Sequence, residues 1–273
     1  MKLYFFDTHA HIQRSAPTDE PRFTELVQNA TEAGLRAILV PAICAQDWDQ
    51  LADLPQFEDL KVRISLGIHP YSVSKLTPEV YLSQLEELQL RAENAPSHLC
   101  AIGECGLDFQ RAGRDPDARA HQVRVFRAQL ELARRLGMPL TIHCVKAHGL
   151  MLELLRERPT PPSVMHAYSG SAELGRALVQ AGHYLSFAAN VCIPGARKVV
   201  EAARATPAER LLIETDSPDQ TPPGRGDVDN EPAFIVDVAE RLADLRGEPL
   251  EELAAQTTAN ACRLFGVDLD APN

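Results

Sequence analysis

Short apolar runs alternate with longer amphipathic segments along the whole 273-residue chain. Apolar runs of this length, bounded by turn residues, are typical of strands that are buried on both faces of a parallel sheet. We predict eight strands, at residues 3–8, 36–43, 62–68, 99–104, 139–143, 163–166, 183–187 and 211–215.

The segments between these strands have the apolar spacing or the composition of helices. Segment 118–136 is the clearest, because its apolar side chains share one stripe while Arg and Glu lie elsewhere. Several segments are followed by glycine, the residue that favours the left-handed end of a helix. We predict helices at 22–33, 78–93, 118–136, 147–157 and 172–181, and two closing helices at 230–246 and 249–265.

This alternation of strand and helix implies a parallel sheet that is covered by helices. Eight such units favour a closed (β/α)8 TIM barrel over an open doubly wound sheet. No Gly-x-Gly-x-x-Gly motif follows the first strand, which argues against a dinucleotide site. We therefore predict one α/β domain over residues 1–273, a TIM barrel with an extra C-terminal helix.

The composition, 45% hydrophobic and 24% charged, is ordinary for a globular protein. The six cysteines include no Cys-x-x-Cys pair, and neither a secretory signal nor a membrane-spanning apolar stretch is evident. We expect a monomer in the reducing cytoplasm, without membrane association.

The formal net charge of −11 argues against a protein that holds nucleic acid through a broad basic face. It does not argue against phosphodiester chemistry, since bound divalent ions supply positive charge locally.

Two histidines follow the first predicted strand, in the run Asp7-Thr8-His9-Ala10-His11. Side chains alternate with period two along extended backbone, so His9 and His11 point to the same side. Two neighbouring imidazoles form half of a metal site. The alternative is a pair of ordinary histidines, one of them on the surface.

Further titratable residues follow other predicted strands: Glu104 after the fourth, His143 after the fifth, His166 after the sixth and Asp216 after the eighth. Barrel enzymes build their active sites at this carboxyl end, from several strands at once. Each residue alone could be a hydrogen-bonded loop residue or a turn former. Their coincidence at five strand ends indicates a metal site.

Six ligands exceed what one ion takes from protein when a substrate position stays open. Two divalent ions would use all six, with Glu104 as the bridging carboxylate and a hydroxide between the ions. We assign His9, His11 and Asp216 to one ion and His143 and His166 to the other. Imidazole-rich sites suit zinc, manganese or iron, and magnesium less readily. Asp216 is also placed to act as general base, with Glu104 as the second catalytic carboxylate.

These motifs recur in one family. The segments in question are Asp7-Thr8-His9-Ala10-His11, Gly67-Ile68-His69-Pro70, Gly103-Glu104-Cys105-Gly106-Leu107-Asp108, Ile142-His143-Cys144, Glu214-Thr215-Asp216-Ser217-Pro218 and Asn230-Glu231-Pro232. Over residues 3–266 the chain resembles the TatD family of metal-dependent deoxyribonucleases, within the amidohydrolase-type barrels. The resemblance implies a 3′-to-5′ exonuclease on single-stranded DNA and the same six ligand positions.

Two departures from the family pattern fall near the predicted site. Relatives commonly carry Arg where this chain has Val145, followed here by Lys146. They usually read His-Cys-Phe-Ser-Gly where this chain reads His166-Ala167-Tyr168-Ser169-Gly170. The ligands are retained, but substrate contacts at these two places are expected to differ.

Candidate substrate contacts are His69, Lys146 and Arg111, which follow the third, fifth and fourth strands. A loop-anchoring histidine and two solvated cations are the alternatives. Tyr71 and Tyr168 could stack on bases, as aromatics do with single strands, or pack beneath loops. Asp108 is expected to orient a neighbouring ligand.

The sequence thus predicts a metal-dependent hydrolase and favours a phosphodiesterase that acts on DNA. Two other interpretations stay open. One is an amidohydrolase that cleaves an amide, a lactone or an aminoacyl ester, because the same metal chemistry attacks carbonyl carbon. The other is a metal-binding interaction protein without turnover.

Overall fold

The eight predicted strands form one parallel sheet in which each strand pairs with the next along the chain. This computed structural model describes residues 3–271, so both extreme ends of the predicted domain lie outside the described residues. The strands are β1 (Phe5–Asp7), β2 (Leu35–Pro41), β3 (Lys61–Leu66), β4 (Leu99–Asp108), β5 (Leu140–Val145), β6 (Val164–Met165), β7 (Tyr184–Phe187) and β8 (Leu211–Ile213).

The first and last strands meet at the carboxyl end, where the Thr8 amide donates to the Ile213 carbonyl over 3.2 Å. Helices separate the strands and cover the outside of the barrel. The predicted (β/α)8 TIM barrel is therefore confirmed.

The helices include all seven that the sequence predicted, although the one expected at 230–246 begins only at Ile235, after a 3-10 turn at Pro232–Phe234. Four others were not predicted, and three of these span only four to six residues, too short for a recognisable apolar stripe. The bounds are α1 (Ile12–Ser15), α2 (Pro21–Glu32), α3 (Asp47–Ala52), α4 (Pro70–Val73), α5 (Pro78–Glu93), α6 (Pro116–Leu136), α7 (His148–Arg156), α8 (Ala172–Gln180), α9 (Arg197–Ala205), α10 (Ile235–Arg246) and α11 (Leu250–Phe265). None of the helices in residues 3–271 combines the length and apolar composition needed to cross a bilayer.

The extra C-terminal helix, α11, packs against the amino-terminal end of the barrel. Phe265 joins Phe6 in the barrel interior, with ring centroids 5.7 Å apart. The buried Asn260 amide donates to the Leu211 carbonyl over 2.9 Å, and so satisfies a backbone acceptor where β8 begins. This end of the barrel is closed by apolar packing.

Strand β4 carries an irregularity that places the central carboxylate. Its pairing with β5 shifts between Ile102 and Cys105, and Glu104 lies within the shift. An extra residue of this kind re-aims a side chain relative to regular alternation. Glu104 was expected at the end of a strand over 99–104, but β4 continues to Asp108.

Two buried glutamines of α6 hold the loops next to the site. Gln129 accepts from the Ile68 amide over 2.8 Å and donates to the Ile68 carbonyl over 3.1 Å. Gln122 makes the same pair of bonds to the backbone of Asp108, at 2.9 and 3.2 Å. The long helix therefore fixes the strand ends from which His69 and Asp108 extend.

Candidate metal centre

The Glu104 carboxylate is buried at the carboxyl end of the barrel, and each of its oxygens faces a separate set of imidazoles. Oε2 lies 3.4 Å from His9 Nε2 and 3.5 Å from His11 Nε2. The two histidine nitrogens are 3.2 Å apart. Both side chains follow β1, on the same side, as the period-two spacing predicted.

The other oxygen, Oε1, faces the second set. It lies 3.0 Å from His143 Nδ1 and 3.0 Å from His166 Nε2. These two nitrogens are 3.1 Å apart. The two sets are adjacent, because the rings of His9 and His166 stack with centroids separated by 4.0 Å.

Asp216 completes the group, with Oδ1 at 3.8 Å from His9 Nε2. It lies three residues beyond the end of β8, since that strand stops at Ile213 rather than at residue 215. Its backbone has a φ of 58°, a conformation that aspartate tolerates better than most residues. Its amide donates to the His9 carbonyl over 2.9 Å, which ties together the segments that follow β1 and β8. All six residues predicted as ligands therefore meet.

The electrostatics of the group follow from one buried acid among imidazoles. Burial opposes the charge of Glu104, but facing histidines, His69 and His166 foremost, hold the pKa of its carboxyl well below the usual range. Although burial also disfavours its charge, Glu104 raises the pKa of His166 well above the ordinary value. His9, by contrast, has a lowered pKa because burial dominates there. The site combines an anionic carboxylate with nitrogen lone pairs, which is the donor set of a transition-metal or zinc centre.

The far nitrogen of three of these histidines also faces an acceptor. His11 Nδ1 lies 3.1 Å from the Pro41 carbonyl, and His143 Nε2 lies 3.5 Å from Asp108 Oδ2. His166 Nδ1 lies 3.4 Å from Glu214 Oε1. Such acceptors select the tautomer whose other nitrogen is free to bind a metal. The sequence predicted that Asp108 orients a neighbouring ligand, but it did not predict this for Glu214. The only sequence signal for Glu214 was its position in the run Glu214-Thr215-Asp216, next to a predicted ligand.

Asp7 is a second residue whose contribution the sequence did not reveal. Its Oδ1 accepts from the amides of His9 at 3.1 Å and Thr215 at 3.0 Å, and Oδ2 accepts from Thr215 Oγ1 at 2.5 Å. Burial raises the pKa of Asp7 to about 8. Through these bonds Asp7 holds together the segments that carry His9 and Asp216.

His69 lies nearer to the centre than a peripheral substrate contact would. Its Nε2 is 3.1 Å from Glu104 Oε1, and its Nδ1 accepts the Tyr71 amide over 2.9 Å. Burial lowers its pKa to about 4, so the ring is neutral at physiological pH. A neutral ring that accepts at Nδ1 carries its proton on Nε2, which makes His69 a hydrogen-bond donor at the site.

A cleft of about 940 Å³ leads to this centre. Arg111 and Tyr71 line one side, and Arg14 and Asp219 line the other. Within residues 3–271, Lys146 is exposed after β5 and does not line the cleft. Tyr168 cannot stack on a base, because it is buried beneath its loop with its hydroxyl donating to the Ser171 carbonyl over 2.8 Å.

Comparison with known proteins identifies the family. The family model described as TatD related DNase matches residues 6–266. The chain belongs to this family. It is 34% identical to the uncharacterized metal-dependent hydrolase YabD of Bacillus subtilis over 266 residues, which covers 96% of this chain and 99% of that protein.

Two other TatD-family relatives are informative. One, from Erwinia amylovora, is named 3′-5′ ssDNA/RNA exonuclease TatD and is 34% identical over 258 residues, 89% of this chain and 93% of its own. The crystal structure of YjjV, a TatD homologue from Escherichia coli K12, superposes with a TM-score of 0.88 at 30% identity, over 98% of this chain and 100% of that one. The predicted metal-dependent hydrolase is thereby confirmed, and the interpretation as a non-catalytic interaction protein is set aside.

Proposed function

We propose that this TatD-family hydrolase cleaves phosphodiester bonds in single-stranded nucleic acid from the 3′ end, and that the residues around Glu104 would hold two divalent ions. The observation that carries the proposal is the division of imidazole nitrogens into two sets, one around each oxygen of a single buried carboxylate. The exonuclease name of the Erwinia relative supports the substrate class.

The donor set fits such ions. His9, His11 and Asp216 would hold one ion and His143 and His166 the other, with Glu104 shared between them. Imidazole and carboxylate donors favour zinc or manganese, and magnesium remains a candidate. When bound, a pair of divalent ions lowers the pKa of water toward neutrality and neutralises charge on the phosphoryl oxygens.

The chain's own residues supply the remaining chemistry. Asp216 directs Oδ1 toward His9, while Gln220 donates to Oδ2, so Oδ1 is the atom placed to accept a proton from the attacking water. His69 presents its Nε2 proton to the same space and can donate to a phosphoryl oxygen. Glu104 is thus a ligand that fixes geometry, and Asp216 is the base.

Arg111 is the cation of the cleft best placed for a substrate phosphate. Its Nε lies 3.4 Å from Asp108 Oδ2, and its guanidinium lies over the Tyr71 ring with 4.6 Å to the centroid. Among the described residues Asp108 is the one carboxylate within ion-pair distance of Arg111, so donors of the guanidinium remain for a phosphate. The other arginine that lines the cleft, Arg14, is already paired with Asp219 at 3.0 Å.

The same proposal includes a monomer in the cytoplasm. Every candidate ligand comes from one chain, so the centre needs no second copy. The cysteines at positions 44, 100, 105, 144, 192 and 262 are free, as a reducing compartment requires.

Turnover of metal-stripped and reconstituted protein tests the proposal. We expect no hydrolysis in chelator, and shortening of 5′-labelled single-stranded DNA or RNA after addition of Mn²⁺, Zn²⁺ or Mg²⁺. A panel of lactones and carboxylic esters serves as the comparison. Turnover of that panel with intact oligonucleotides would replace the proposal with the amidohydrolase alternative, and full nuclease activity in chelator would remove the metal mechanism.

A further inference from the structure

The loops at the carboxyl end of the barrel differ in charge around the rim. The loops that follow β3, β4 and β5 carry exposed cations and one exposed acid, Asp115, which caps α6. Two further exposed cations begin α9, whereas the first turns of α5, α6 and α8 carry the exposed acids Glu79, Asp117 and Glu173. We call these cations the basic arc: Lys75, Arg111, Arg114, Lys146, Arg197 and Lys198. The strand order places Lys75, Arg111, Arg114 and Lys146 on three neighbouring loops of the rim, and Arg197 and Lys198 follow farther along it.

The loops that follow β8 and β1 have the opposite character. They carry the acidic arc, which consists of Asp19, Glu20, Asp219, Asp227, Asp229 and Glu231. The cations on these loops are neutralised, because Arg14 pairs with Asp219 at 3.0 Å and Arg225 pairs with Asp237 at 2.8 Å. Asp219 and Glu231 are offset by these and by Arg22, at 3.1 Å from Glu231. The other four acids have no basic partner among residues 3–271, so this side of the rim repels a polyanion.

Arg111 pairs with Asp108 at 3.4 Å, but the other cations of the basic arc are not neutralised in this way. Across residues 3–271, Arg114, Lys146, Arg197 and Lys198 form no ion pair with a carboxylate. Lys75 lies over the Tyr71 ring, with its Nζ 3.6 Å from the centroid. Exposed cations without carboxylate partners are available to phosphates, and binding there would release counterions from the nucleic acid.

The cleft connects the metal centre to this arc. Its lining includes Tyr71, Gln110 and Arg111, and continues to Val145, the residue before Lys146. The lining also includes Asp47 and Asp219, whose charges repel a phosphate. A polynucleotide whose terminal phosphodiester reached Glu104 would therefore leave the cleft on the side of the loops that follow β3 to β5. Tyr71 stands at this exit with 37% of its surface exposed.

We propose that the body of a single-stranded polynucleotide, beyond the residue being cleaved, lies along the basic arc and passes over Arg111, Arg114 and Lys146. The proposal rests on the phosphodiesterase function above and adds the path of the substrate. It also explains how a chain with a net charge of −11 binds a polyanion, since the cations gather where the cleft opens.

Charge reversal at the arc tests this path. The double variant Arg114→Glu/Lys146→Glu changes two exposed residues outside the catalytic machinery. The control, Arg158→Glu/Arg176→Glu, lowers the net charge by the same amount at two exposed positions away from the arc, one after α7, where Arg158 pairs with Glu131 at 3.6 Å, and one on α8. Binding of fluorescent 20-nucleotide oligo(dT) and oligo(rU) to metal-free protein is measured by anisotropy, so the readout does not require turnover.

We expect the arc variant to weaken binding of both oligonucleotides about tenfold, and to reduce the slope of log Kd against log salt by roughly 1.4, about 0.7 for each phosphate that is no longer neutralised. The control should remain within about twofold of the parent. Equal weakening in both variants, or none in the arc variant, would overturn the path. Weakening of only one oligonucleotide would show that the arc selects that sugar.

Hydrolysis of the dinucleotide dTpdT separates this inference from the proposed function. The arc variant should cleave dTpdT like the parent, because a dinucleotide does not extend beyond the cleft, but should lose about tenfold in kcat/KM on the 20-mer. An equal loss on both substrates would overturn the path and place these cations at the reacting phosphate. Failure of every metal form to cleave dTpdT, with arc-dependent binding intact, would contradict the proposed function alone.

Discussion

At the amino-terminal end of the strands the barrel interior holds Phe6, Leu39 and Leu212, whereas at the carboxyl end it holds carboxylates and imidazoles. The same strands build both ends. The first is closed by Phe265 of α11, and the second opens into a cleft of about 940 Å³. Burial at one end removes apolar surface from water, and burial at the other concentrates charge.

This difference separates stability from chemistry within one sheet. Phe6 lies only three residues before His9, yet the first packs against a helix and the second against a carboxylate. A substitution at the closed end is expected to change the free energy of unfolding and leave the reacting groups in place. A substitution at the open end is expected to change the reacting groups and to leave the free energy of unfolding nearly unchanged.

The largest expected effect follows from Glu104→Gln. The amide keeps the shape of the side chain but removes the charge shared by both nitrogen sets, so we expect kcat on dTpdT to fall by about a thousandfold or more. Bound metal, measured by elemental analysis, should fall in parallel. Glu79→Gln, an exposed carboxylate on α5, is the control. A Glu104→Gln enzyme that kept its metal and its rate would contradict the central place of this residue.

The next effect belongs to the closed end. Phe265→Ala leaves a cavity beneath Phe6, and we expect the free energy of unfolding, measured by urea titration, to fall by about 3–5 kcal/mol. The rate per folded molecule should stay within about twofold, because no ligand contacts the cavity. Leu90→Ala, at a position 60% exposed, should cost less than about 0.5 kcal/mol. A large fall in kcat for Phe265→Ala would show that the two ends are coupled.

The sequence predicted the strands and the six meeting residues because both depend on local signals. Apolar runs mark strands, and topology alone brings their carboxyl ends to one rim. The sequence predicted Glu104 at the end of its strand, whereas Glu104 lies inside β4. The shift in register that re-aims it depends on how β4 pairs with β5, and not on the residues of β4 alone.

What the sequence could not reveal are contacts between distant segments. Glu214 lies behind His166, and Asp7 bonds to Thr215, which is 208 positions away in the sequence. Neither pairing has a spacing that can be read along the sequence. The short helices α1, α3 and α4 were missed for a different reason, because four to six residues do not complete two helical turns.

Glu214→Gln tests the hydrogen-bond acceptors that face the far nitrogens of the predicted histidine ligands. We expect an effect of intermediate size, on the affinity for metal. Loss of the carboxylate that faces His166 Nδ1 should weaken metal binding by about 10–100-fold, as removal of such partners does in other metal sites. Competition with a fluorescent chelator measures it. Asp108→Asn removes the matching acceptor behind His143 and should act similarly, while exposed Glu173→Gln should not. Unchanged affinity in both variants would show that these carboxylates serve folding only.

The smallest expected effect is on stability at low pH, and it follows from a comparison of buried histidines at the two ends of the barrel. At the open end Glu104 raises the pKa of His166, whereas at the closed end burial lowers the pKa of His183 to about 4. Among residues 3–271 no carboxylate pairs with His183, which is 1% exposed just before β7. As pH falls below the ordinary histidine value near 6.5, the unfolded chain takes up this proton and the folded chain does not, so stability is lost between about pH 6.5 and 4.

For His183 alone, this loss amounts to up to about 2 kcal/mol in the free energy of unfolding between pH 7 and pH 5. The variant His183→Leu should therefore show a shallower decline over that range, while its stability above pH 7 reports only the change in packing. Urea titrations of parent and variant at pH 5, 6 and 7.5 measure the difference. Parallel pH profiles would mean that His183 is protonated as readily in the folded barrel as in the unfolded chain, and the contrast between the two ends would then depend on Glu104 and its ligands alone.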